Sequence, residues 1–211
     1  MRKFALYVTA VAVAATAAHA TGRQITCYAA ARANLIPFMG SVRNGIRFQT
    51  LVDKDQINYA GALNDVEFYN YFGYAGRYNS YRIYLCHTAK TSLSPTFAEN
   101  YKGTPVLVGN YRSFSIPTTR DWFSLRMAET YDYNNVDGLL VEIKWQDDDL
   151  GDVPVYTGEL QGSNNHRVWA ANDPEAAVGQ ADAYPYYCRL SFGAYAAVAA
   201  TSLGRVRALF K

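Results

Sequence analysis

Residues 138–146, GLLVEIKWQ, place Leu139, Val141, Ile143 and Trp145 on one side of a two-residue period and Glu142 and Lys144 on the other. Successive side chains of a strand point to opposite faces, so this is the pattern of a strand with one face on a core and the other in water. Each aliphatic side chain buried this way contributes roughly 1.5–3 kcal/mol, against a net stability on the order of 5–15 kcal/mol. Trp145 is therefore expected in the core rather than on a ligand platform.

The same period recurs outward from this segment. Ile46, Phe48 and Thr50 oppose Arg47, Gln49 and Leu51; Val66, Phe68 and Asn70 oppose Glu67, Tyr69 and Tyr71; Tyr81, Ile83 and Leu85 oppose Arg82, Tyr84 and Cys86. TPVLVGNY (104–111), DWFSLRM (121–127), VPVYTGEL (153–160), HRVWAA (166–171) and YCRLSFG (187–193) bring the total to about nine strands. Helical character is confined to short turns near Ser94–Asn100 and Asp53–Ile57. Eighteen tyrosines and 15% aromatic residues suit pleated, half-buried surfaces. The expected fold is all-β: an antiparallel two-sheet β-sandwich, jelly-roll-like, with one core. Four segments follow: a leader (1–20), an N-terminal stretch leading into the sandwich (21–45), the sandwich (46–193) and an apolar-basic tail (194–211).

Arg2 and Lys3, the apolar run Phe4–Ala18 and the small-residue site Ala18-His19-Ala20 read as an export signal cleaved after Ala20. A secreted or cell-surface protein is expected, and no later run approaches the roughly 18 apolar residues of a spanning helix. The net charge of +2 resides in the leader, leaving the remainder neutral. Nothing in this balance points to nucleic acid as a partner.

Candidate chemistry is sparse. Cys86 adjoins His87, but strand neighbours point apart, so the two cannot act as a nucleophile and its base. Outside the leader, two histidines and three cysteines at irregular spacing match no zinc pattern. An exported chain can hold a disulfide. Three pairings among Cys27, Cys86 and Cys188 are open; Cys86 with Cys188, both on predicted strands, is favoured, leaving Cys27 to pair between chains. Asp147, Asp148, Asp149 and Asp152 offer hard oxygen ligands suited to calcium, without the spacing of an EF-hand loop; otherwise no cofactor is expected. Glu99, Glu129, Glu142 and Glu159 are scattered, and nothing singles out a glycosidase pair. No nucleophile elbow, P-loop or dinucleotide fingerprint is present, so the chain is not expected to be an enzyme. The richest stretch is EFYNYFGYAGRYNSYRIY (67–84), with six tyrosines around Gly73 and Gly76. Tyr71, Tyr74, Arg77 and Tyr78 are the binding candidates, since tyrosines with arginine can stack on sugars or anchor a protein.

The ordered set IPF (36–38), RFQTLVDKDQI (47–57), YRIYLCHTAKTSLSPTFAENYKG (81–103), DWFSLRMAETYDYNNVDGLLVEIKW (121–145), HRVWAANDP (166–174) and YYCRLSF (186–192) resembles a recurrent jelly-roll-like β-sandwich module. That module occurs in secreted and surface proteins of Bacteroidetes-like and candidate-phylum bacteria. The resemblance implies no catalytic residues. It implies that Trp122, Tyr131, Tyr133, Asn134, Leu140 and Glu142 determine the fold, and that His87 ends a strand and bonds the loop TAKTSLS. Cys86, where the family tends to carry a small residue such as glycine, and the acidic QDDDLGD depart from its pattern. The tail, AYAAVAATSLGRVRALFK, is similar to endings on relatives of the module and is expected to dock on the domain, pair with another subunit or act as an export or retention signal. The leading functional expectation is a non-enzymatic surface or matrix protein that associates with itself. Carbohydrate binding through the Tyr-rich loops is the alternative, with a glycoside-active enzyme third.

Overall fold

The computed structural model describes residues 22–39, 42, 44–148 and 155–193. The leader, the tail, Asp149 and Asp152 lie outside the described residues. The first seven strands are β1 (Arg23–Cys27), β2 (Arg32–Asn34), β3 (Ile46–Val52), β4 (Gly61–Tyr69), β5 (Gly76–Thr88), β6 (Val106–Ile116) and β7 (Trp122–Ser124). The next seven are β8 (Tyr131–Tyr133), β9 (Gly138–Trp145), β10 (Asp147–Asp148), β11 (Thr157–Glu159), β12 (Arg167–Ala171), β13 (Gln180–Asp182) and β14 (Cys188–Phe192). Fourteen strands among the described residues thus replace the expected nine or so. The two expected turns are the short helix α1 (Lys54–Ile57) and a 3-10 helix, Phe97–Asn100.

Every strand pairing is antiparallel. One sheet runs β1-β14-β4-β7, with β8 also on β4; the larger runs β10-β5-β9-β3-β12-β13, with β6 also on β5; β11 and β2 form a small ribbon. The two large sheets close on one apolar core. Val66, Phe68, Leu190 and Phe192 from the first meet Phe48, Ile83, Leu85, Val141, Ile143 and Trp145 from the second. Tyr186 lies between the layers, its ring 5.1 Å from those of both Phe48 and Phe68. Trp145 is fully buried and its indole N–H donates to the Pro37 carbonyl at 3.0 Å. The turn into β3 requires Gly45: its φ is +86°, and a Cβ there would stand 1.9 Å from the Trp145 carbonyl oxygen.

The alternation of β9 is as expected, but its second face is not in water. Glu142 is 2% and Lys144 8% exposed. A second apolar cluster, Leu51, Cys86, Leu93, Phe97, Leu140 and Val168, covers that side of the larger sheet. Arg47 holds Glu142 at 2.8 Å, the Tyr101 hydroxyl donates to the other carboxylate oxygen, and Lys144 bonds Glu175 at 2.6 Å. A buried charge is tolerable only when paired and hydrogen-bonded in this way.

The cysteines are also arranged differently from the favoured pairing. Cys86 is in the larger sheet, opposite Leu140, its sulfur facing the carbonyls of Lys102 and Gly103. Cys188 is in the smaller sheet, directly opposite Cys27. Cys86 and Cys188 therefore belong to different layers and are not partners.

Arg167 clamps the larger sheet to the ribbon. It is 2% exposed, binds Asp182 through Nε and Nη2 at 2.7 and 2.6 Å, and binds Glu159, itself wholly buried, through Nη1 at 2.7 Å. Nη1 also donates to the Tyr186 hydroxyl at 3.0 Å. Removing one partner of a buried ion pair strands the other charge. Arg167→Ala is expected to lose about 3–5 kcal/mol in chemical denaturation, and Arg167→Lys to recover only part of it, because an ammonium cannot bridge two carboxylates and a hydroxyl in the same fork.

Candidate functional site

The outward register of β4 carries Glu67, Tyr69 and then Tyr71, while Asn70 between the tyrosines turns inward and is fully buried. Asn70 builds the loop that follows. Its Nδ2 donates to the carbonyls of Tyr74 at 2.9 Å and Pro117 at 3.0 Å, and its Oδ1 accepts from the Gly73 amide at 3.0 Å. Gly73 has φ +74° and a Cβ there would meet the Arg120 amide nitrogen at 3.0 Å, so glycine is required at this turn. The Tyr71 amide donates to the Tyr156 carbonyl at 2.7 Å. The loop is thereby pinned with Phe72 52% and Tyr74 46% exposed.

Seven rings form one connected row on this side. Tyr69 faces Trp122 across the β4–β7 ladder with ring centroids 5.5 Å apart. Tyr187, immediately before β14, lies 4.6 Å from Trp122 and 5.8 Å from Tyr69. Tyr71 stands 6.5 Å from Tyr69 and 5.3 Å from Phe72. Phe72 in turn lies 5.1 Å from Tyr156 and 6.0 Å from Tyr74. Charges flank the row: Arg189 is 4.7 Å over Trp122 while binding both oxygens of Glu67 at 2.6 Å, and Arg120 is 5.3 Å over Tyr71. Contiguous exposed apolar surface with a polar rim marks a contact site.

Of the four binding candidates read from sequence, the structure brings Tyr71 and Tyr74 together here. Tyr78 is buried beside Trp145, with ring centroids 4.9 Å apart, and its hydroxyl donates to the Phe38 carbonyl at 3.1 Å, so it belongs to the core. Arg77 lies on the larger sheet, its Nε donating to Ser113 at 3.1 Å. Tyr69, Phe72, Trp122, Tyr156 and Tyr187 complete the row. Trp122, expected as a fold determinant, is half-buried on the outer surface. The signal for Tyr187 was its alternation with the inward Tyr186 and Cys188.

Of the four acidic candidates, Asp149 and Asp152 lie outside the described residues. Asp147 and Asp148 form β10, continuing β9 along β5 opposite Asn79 and Tyr78. Among the described residues no group of three or more His, Cys, Asp or Glu side chains converges on a metal position. Glu142 and Glu159 are buried beneath their arginines, and Glu159 also binds Arg32 at 2.6 Å. A polar groove of about 480 Å³ is lined by Asp53, Lys54, Asp55, Lys90 and Asp137, but Asp137 is held by Lys102 at 2.8 Å and Asp53 by His166 at 2.9 Å.

The two histidines near this groove have pKa values shifted in opposite directions. The Asn134 amide donates to His87 Nε2 at 3.2 Å, so the ring proton sits on Nδ1, 2.8 Å from the Tyr131 hydroxyl. His87 is thus neutral, and burial pushes its pKa below the ordinary value. Its ring bonds Tyr131 and Asn134 rather than the loop after β5. His166 faces an acceptor on each side, the Asn164 carbonyl at Nδ1 (2.8 Å) and Asp53 at Nε2 (2.9 Å), an arrangement that favours the doubly protonated ring. Burial opposes that charge, but the bonds to Asp53 and Asn164 prevail and raise its pKa. Asp53 is lowered: burial works against it, while hydrogen bonds from His166 and Tyr28 favour the carboxylate.

No protein-family model matches the chain, and neither a curated protein nor a solved structure is detectably similar to it.

The ion pair sets a pH dependence. A raised histidine pKa gives stability that is complete below the ordinary value of 6.5 and is lost as pH rises through the folded value; a lowered aspartate pKa gives stability present above 3.8 and lost as pH falls. The pair therefore stabilises most between those limits. The loss of stability in His166→Gln, measured by denaturant titration, is expected to be larger at about pH 5.5 than at about pH 8.

Proposed function

We propose that this chain is a non-enzymatic extracellular binding module that docks an extended glycan along the aromatic row of its smaller sheet. The observation that carries this reading is the continuity of the seven rings from Tyr187 through Trp122, Tyr69, Tyr71 and Phe72 to Tyr156 and Tyr74. The apolar C–H faces of a pyranose stack on aromatic rings, whereas its hydroxyls need donors and acceptors at the side. Arg120, Arg189, Glu67 and the tyrosine hydroxyls supply those groups. A surface row of half-buried rings ending in the exposed Phe72 and Tyr74 suits the interior of a polymer rather than a chain end held in a pocket. The export-signal reading of residues 1–20 and the resemblance to surface modules agree with such a ligand.

Self-association has one observation in its favour. Strand β6 pairs with β5 alone among the described strands and exposes Val106 (44%) and Leu107 (42%). An edge of this kind invites pairing with a second copy, which a concentration series in size-exclusion chromatography would detect.

The glycan reading is tested by affinity electrophoresis of the full chain through gels containing polysaccharides of different linkage. Retardation in at least one gel is expected. Trp122→Ala and Tyr74→Ala should each weaken binding about tenfold, or about 1.4 kcal/mol, with circular dichroism unchanged. Failure to be retarded in any gel, or retardation indifferent to both substitutions in folded protein, would sink the proposal.

A further inference from the structure

We propose that Cys27 and Cys188 form a disulfide that ties the first strand of the sandwich to the last. The two residues are direct partners in the β1–β14 ladder, and both side chains are fully buried in the main core cluster. Directly opposed residues of antiparallel strands have Cα atoms about 4.5–5.5 Å apart, inside the range of about 4.4–6.8 Å that a disulfide spans. Cys86 stays a thiol, since it lies in the other sheet among Leu51, Phe97 and Leu140.

Chemistry and topology make the pair more than a coincidence of register. Among the described strands β1 lies at an edge, with β14 as its ladder partner. The covalent bond would fasten this edge strand to its neighbour. In the folded, reduced chain the Cys188 thiol is held protonated by its hydrogen bond with Cys27 and by burial, and a protonated thiol is a poor nucleophile. Bond formation therefore belongs to folding, while the sulfurs are still accessible. The oxidant is a small-molecule or protein disulfide, of which oxidised glutathione is the simplest. One thiolate attacks that disulfide, giving a mixed disulfide and releasing one thiol. The second thiolate displaces the other half as a thiol, so two S–H bonds and one S–S bond break as one S–S and two S–H bonds form. The protein sulfurs lose two electrons and the oxidant gains them. An exported chain, as residues 1–20 imply, meets such oxidants.

The test is refolding of the full-length chain from denaturant and reductant into a buffer of reduced and oxidised glutathione. Acid trapping, denaturation, alkylation with iodoacetamide and peptide mass mapping follow. The expected result is alkylation at Cys86 alone, a linked Cys27–Cys188 peptide and a mass lower by two hydrogens. Adding reductant to the folded product should lower the melting temperature by roughly 10 °C. Cys86→Ser should give the same bridge, and Cys188→Ser should leave both remaining thiols open to alkylation. Alkylation of all three cysteines, a bridge containing Cys86 or a dimer linked through Cys27 would each overturn the proposal. The Cys86→Ser arm decides the matter even if Cys188→Ser fails to fold.

Discussion

A carboxylate in the middle of a buried strand must be met by donors from several sides, and Glu142 governs much of this structure for that reason. It occupies β9, between β5 and β3, and is approached by Arg47, Gln49 and the Tyr101 hydroxyl. Arg47 and Gln49, and Lys144 on the same face, are tied to something further out. Arg47 also bonds the Ala176 carbonyl, Gln49 accepts from Asn100, and Lys144 reaches Glu175. Two excursions of chain, one carrying Phe97–Asn100 and one carrying Glu175 and Ala176, are thereby drawn across the outer face of the larger sheet. Leaving Glu142 unpaired would cost several kcal/mol, so the cover and the charge are mutually dependent.

That cover spans the middle of the larger sheet, whereas the outer side chains of β4, β7 and β14 in the smaller sheet carry no such layer among the described residues. There the layer beneath the rings, Val66, Phe68, Phe123 and Leu190, belongs to the core. The layer above it, Tyr69, Trp122, Tyr187 and Arg189, is only half-buried. The sandwich thus places the ion pairs around Glu142 and its candidate contact surface on opposite sides.

The period-two pattern disclosed the fold class and which residues of β3, β4, β5 and β9 share a face, because that information is local. It could not show what covers each face. The cover over Glu142 comes from residues more than forty positions before it and more than thirty after it, and only long-range contact brings them there. Tyr74 and Tyr78 looked alike as binding residues; the turn held by Asn70 resets the register between them, sending one ring out and the other into the core. In Trp122-Phe123 two adjacent aromatics leave the facing ambiguous from sequence, and the structure puts Phe123 inward. The partnership of Cys27 with Cys188 joins the two ends of the sandwich, which no spacing rule reaches. Strands of two or three residues, such as β8, β10 and β13, are too short to display a period.

Asn70 shapes its loop entirely through backbone groups: the carbonyls of Tyr74 and Pro117 and the amide of Gly73. The rings of Phe72 and Tyr74 are presented by that frame and do not hold it together. Their identities are accordingly free to drift while the frame persists, so related chains could exchange one aromatic for another, or lose one, and alter what they grip without altering how they fold. Asn70 and Gly73, which touch no ligand in this reading, are the positions where such divergence would have to stop.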